Sequence, residues 1–107
     1  MKRILFASGL AILVFDSTAL AQAQAPSRHG RAVLKEFCVS CHAIGKTGTS
    51  PRPSAPPFRT LGRSYDLDQF SRQLERGISS GHPDMPEFKF SADDARAVSA
   101  YLRSIQQ

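Results

Sequence analysis

The sequence predicts a small all-α domain. Three observations carry that expectation. Three stretches repeat apolar residues at steps of three and four, the period of a helix with one buried face. No stretch alternates apolar and polar residues as a half-buried strand does. The chain has 107 residues, which suits one small core rather than two.

The elements follow in chain order. Residues 1–21 read as a secretory signal peptide. Lys2 and Arg3 supply the positive start, Ile4–Phe15 the apolar run, and Ala19-Leu20-Ala21 a small-x-small cleavage site. Ala21-Gln22-Ala23 would place the cut two residues later. The apolar run is shorter than the ~20 residues that span a bilayer, so export is expected rather than a retained anchor. Residues 22–107 then form a single domain. Its first helix is expected over about His29–Cys41, with Ser27 as cap and Val33, Leu34, Phe37 and Cys41 near one face. Ala43–Arg59 is rich in Gly, Pro, Ser and Thr and reads as an ordered loop inside the domain.

A second helix is expected over Leu67–Arg76. Asp66 can cap it, Leu67, Phe70 and Leu74 form its stripe, and Gly77 can end it. Ser79–Lys89 is a second loop, broken by Gly81, Pro83 and Pro86. The last helix begins near Ala92, where Ser91 and Asp94 resemble a capping box. Its apolar face is Ala95, Val98, Leu102 and Ile105, with Tyr101 beside them.

Formal net charge is +5, and losing Lys2, Arg3 and Asp16 with the signal leaves the chain positive. That suits mild attraction to an acidic partner. There is no long basic run of the kind that marks nucleic-acid binding.

One motif carries chemistry. Cys38-Val39-Ser40-Cys41-His42 is the attachment signature of a c-type haem, and the chain has only these 2 cysteines. Each thiol can add across one vinyl group to form a thioether, and the spacing presents both sulfurs to one porphyrin edge. His42 then stands where it can ligate the iron. Three other uses of the pair compete less well. A redox dithiol needs a βαβ context. Structural zinc needs four ligands, and no second paired spacing exists. A disulfide across two residues closes a short, strained ring.

With these residues in view, the chain resembles the class I c-type cytochromes over essentially all of residues 22–107. Gly30, Leu34, Cys38, Cys41 and His42 follow the family's N-terminal pattern, in which the glycine lets the first and last helices cross closely. Val98, Tyr101 and Leu102 match the pattern of the C-terminal helix. The resemblance implies a small cytochrome c fold, about three helices and irregular loops wrapped round one haem.

It also implies site residues. Met85 occupies the loop before the last helix from which the family draws its second axial ligand. Pro56, with Pro57 as runner-up, matches the proline whose carbonyl accepts from the proximal histidine. Arg63 resembles a propionate-binding arginine, and Tyr65 could do the same or pack. His82 reads as a loop-surface histidine.

The implied function is periplasmic one-electron transfer through a covalently attached, six-coordinate haem c, without enzymatic activity. The implied partners are a quinol-oxidising complex, a dehydrogenase, an oxidase or a reductase, with no nucleic acid and no stable membrane anchor. A dedicated electron acceptor of one periplasmic dehydrogenase shares all this chemistry. A catalytic or ligand-binding haem would need an open iron position, against which Met85 argues.

Overall fold

A computed structural model describes residues 18–107, so Met1–Ser17, which hold most of the expected signal peptide, lie outside the described residues. Among the described residues, three α-helices and one 3-10 helix make up the helical structure: α1 Thr18–Phe37, the 3-10 helix Phe58–Arg63, α2 Leu67–Arg76 and α3 Ala92–Ile105. Among the described residues, strand pairing is confined to one isolated antiparallel bridge, Ile78 with Phe88.

α2 and α3 start where their capping residues direct. Asp66 accepts from the backbone N–H groups of Asp68 and Gln69, at 2.8 and 3.0 Å. Two of the orphan donors at the start of α2 are thereby satisfied. These bonds hold the Asp66 carboxyl below its usual pKa. Gly77 closes α2 with φ 112°, a conformation that costs glycine little. Ser91 Oγ accepts from Asp94 N at 3.1 Å. The Asp94 carboxylate turns instead to His29 Nε2, 2.6 Å away on α1.

α1 departs from the expected His29–Cys41. It starts at Thr18, so Ser27 lies inside it rather than at its cap, and it ends at Phe37. The early start reflects Ala19, Leu20, Ala21, Gln22, Ala23, Gln24 and Ala25, all good helix formers. Together they extend the helix through Pro26, which lacks the N–H that Gln22 O would accept. The early end has a visible cause. Cys38 O accepts from both Cys41 N (3.2 Å) and His42 N (3.0 Å), and Cys41 O accepts from Arg52 N (3.1 Å). The haem motif thus closes as its own single turn and hands its last carbonyl to the following loop.

That loop is ordered by long-range bonds. Ala43 N donates to Ser50 Oγ at 3.0 Å, Phe58 N to Ala43 O at 3.0 Å, and Tyr101 Oη to Ile44 O at 2.7 Å. It leads into the 3-10 helix, which no helical period in the sequence marks. Phe58 and Leu61, three apart, share its buried side. The last two residues fasten the same region. Gln106 Nε2 donates to Phe58 O at 2.9 Å, and its Oε1 accepts from Gly62 N at 2.7 Å. Gln107 Nε2 donates to Lys46 O at 3.0 Å.

α3 is the spine. Ala95, Val98 and Leu102 are fully buried, and Leu34 from α1 packs with them. The α1–α3 crossing depends on Gly30. A Cβ there would overlap the carbonyl group of Ala97 and lie 2.8 Å from Val98 N. Both are backbone, so neither can swing aside. Gly30→Ala is therefore expected to lower the stability of the haem-loaded protein by about 3 kcal/mol, the upper part of the range for overfilled sites. Chemical denaturation reads this directly. Gly45→Ala, whose new Cβ would meet nothing closer than 3.9 Å, should change little.

Candidate haem site

The turn after α1, the first loop, α2 and the loop before α3 enclose one cavity of about 520 Å³. Leu34, Phe37, Phe58, Leu61, Phe70, Leu74, Ile78, Phe88 and Phe90 supply apolar walls. Phe37, Phe88 and Phe90 form an aromatic cluster with centroids 5.3–6.0 Å apart. Cys38, Cys41, His42, Pro56 and Met85 line the same cavity.

His42 is the best-fixed polar group in it. The residue is 9% exposed, and its ring stacks on Phe58, centroids 4.6 Å apart. His42 Nδ1 lies 2.8 Å from Pro56 O. A carbonyl can only accept, so Nδ1 carries the proton and donates it. Nε2 is left with its lone pair. Cys38 and Cys41 are free, half-buried thiols. Burial, and secondarily the Cys41 thiol, push the Cys38 thiol up to about 11. It is therefore uncharged at neutral pH, as its apolar surroundings favour. Met85 is half-buried in the loop closed by the Ile78–Phe88 bridge, where N···O distances are 2.7 and 3.3 Å.

Arg63 is placed elsewhere. It lies outside this cavity, and its Nε donates to Gln107 O at 3.1 Å beside a separate surface hollow. Arg63 Nε thus ties the 3-10 helix to Gln107. Tyr65 borders both hollows and is 55% exposed. His82 borders the cavity from the Met85 loop. Among the described residues, no three His, Cys, Asp or Glu side chains gather as a metal-binding group of their own.

A family model described as "Cytochrome C oxidase, cbb3-type, subunit III" matches residues 25–102. The chain belongs to this family of c-type cytochromes. A cytochrome c-552 of Bradyrhizobium diazoefficiens is 31% identical over 91% of this chain and 88% of its own length. The cytochrome c oxidase subunit 2 of Alkalihalophilus pseudofirmus is 33% identical over 75% of this chain, which covers only 26% of that protein. No solved structure matches the chain significantly.

The cytochrome therefore carries a covalently bound haem c and belongs among electron-transfer proteins. Its own residues fit that group: two free thiols, an imidazole with one nitrogen uncommitted, a thioether sulfur and apolar walls surround one cavity. Among the described residues, no helix of the cytochrome is long and apolar enough to cross a membrane.

Sequence reasoning did not find Arg52 and Asp84, which both line the cavity and pair across it at 3.0 Å. No local signal announces a pair so far apart in sequence. Phe88 and Phe90 of the aromatic wall carry no such signal either, because three residues are too few to read as alternation.

Proposed function

We propose that this cytochrome carries single electrons between periplasmic redox proteins. Cys38 Sγ and Cys41 Sγ would anchor the haem as thioethers, and His42 Nε2 and Met85 Sδ would hold its iron. The observation that carries this reading is the 2.8 Å bond from His42 Nδ1 to Pro56 O. It fixes the tautomer, aims the other nitrogen's lone pair at a ligand, and strengthens His42 as a donor.

The haem supplies an iron that accepts and returns one electron. The protein sets the conditions. Met85, a soft neutral donor, favours the reduced iron and so raises the potential. The apolar walls work in the same direction, because a low-dielectric site disfavours the more charged oxidised form. With His42 and Met85 both holding the iron, substrate would be kept from it, and the site would transfer electrons without acting as an enzyme.

A quinol-oxidising complex or a dehydrogenase is the proposed donor class, and an oxidase or a reductase the acceptor class. The family description and the name of the Alkalihalophilus relative favour an oxidase among the acceptors. Lys2, Arg3 and the apolar run Ile4–Phe15 support export, with cleavage after Ala21 or Ala23.

Denaturing mass spectrometry of the exported protein tests the anchors and the cut together. Residues 22–107 or 24–107 plus the mass of one haem are expected. Haem that extracts into acidic organic solvent would refute the thioethers. A near-infrared Fe–S band in the oxidised protein is expected for Met85, and its absence would remove Met85 from the ligand set.

A further inference from the structure

Met85 sits in a loop with few ties to the rest of the fold. The loop is closed at its base by the Ile78–Phe88 bridge. Inside it, Met85 N donates to His82 O at 3.1 Å, and His82 N to Ser80 Oγ at 3.1 Å. Those bonds shape the loop without deciding where it rests. Among the described residues, one polar contact runs from its interior to another segment. Asp84 Oδ2 stands 3.0 Å from Arg52 Nη1.

Arg52 is well placed to hold it. Its backbone N–H donates to Cys41 O at 3.1 Å, and its carbonyl accepts from Ala55 N at 3.0 Å. Two contacts thus connect the residue before the methionine with the peptide of the second cysteine. Arg52, Asp84 and Met85 all line the cavity.

We propose that Arg52 and Asp84 are positioning residues, whose ion pair holds the loop closed and keeps Met85 in ligating position. This rests on the Met85 ligation proposed above. The side chains are 40% and 62% exposed, so water screens the pair and its part in global stability is small. Loop opening is a different process. It breaks this one contact and leaves the helical core packed. A small energy then changes the open population severalfold without moving the unfolding midpoint.

Imidazole is the probe, because it competes with Met85 for the iron of the oxidised, haem-loaded protein. Arg52→Gln and Asp84→Asn are each expected to raise imidazole affinity by up to about fivefold, the effect an exposed pair supports. The combined variant should do no more than either alone. Exchanging the charges, Arg52→Asp with Asp84→Arg, should return the affinity toward that of the parent. In about 1 M salt the differences should shrink, since screening weakens the pair already in the parent.

Single variants that bind imidazole like the parent at low salt would overturn the proposal. So would effects that simply add in the combined variant. Met85→Ala, run alongside, separates the two readings. If it raises imidazole affinity while the pair variants do not, the ion pair fails and the ligand stands. If it leaves both the near-infrared band and the affinity unchanged, Met85 is not the ligand, and the positioning role falls with it.

Discussion

Met85→Ala is expected to lower the midpoint potential and admit external ligands while the haem stays on the chain. The haem stays because the substitution touches neither Cys38 nor Cys41, and His42 keeps its 2.8 Å tie to Pro56 O. The potential falls because the reduced iron loses a soft donor. Axial ligands span roughly 0.8 V across haem proteins, so a drop on the order of 100 mV is a modest expectation. Spectroelectrochemistry checks it. Carbon monoxide should bind the reduced variant and azide the oxidised one, where the parent excludes both. His82, in the same loop and bordering the same cavity, is the one histidine near enough to substitute. Its capture of the iron would lower the potential as well, while still excluding added ligands. An unchanged potential and spectrum would show that another group holds the iron.

Replacing Cys38 and Cys41 together with alanine is expected to cost the protein its fold as well as its cofactor. Leu34, Phe58, Leu61, Leu74 and Ile78 belong both to the core and to the cavity wall. Their packing is therefore shared with the group that the cysteines anchor. Without the haem these apolar walls face an open hollow of about 520 Å³ instead of a packed partner. Small domains have roughly 5–15 kcal/mol of stability in total, so losing that burial is decisive. Circular dichroism of the double variant should show most of the helix content lost, and limited proteolysis should degrade it quickly. A cooperative, native-like melt would show that the helices support each other without the haem.

The chemistry of this chain was legible because it is written locally. The haem motif spans five consecutive residues. Asp66 and Ser91 cap α2 and α3 with side chains that reach only two or three residues onward. Pro56 and Met85 were found differently, through resemblance to a family rather than through any local rule. What escaped depends on partners far along the chain. α1 ends at Phe37 partly because Arg52 N takes the Cys41 carbonyl. The 3-10 helix is supported by Gln106, far away in sequence. The contact of Arg63 Nε with Gln107 O follows the same pattern, since its partner lies far along the chain. The expected capping box of α3 formed only in half, because His29 on α1 competes for Asp94.

The contacts between the two ends of the chain also set an order in time. Synthesis delivers α1 first, with Val33 and Leu34 seeking cover that only α3 provides. Gly30 has no backbone to lie against until Ala97 and Val98 have been made. The bonds from Gln106 and Gln107 wait longer still, until α3 is complete. Native contacts this distant in sequence form late. Through nearly all of its production the chain therefore lacks the contacts that complete its core. Until then Cys38 and Cys41 belong to a cavity whose walls are not yet assembled.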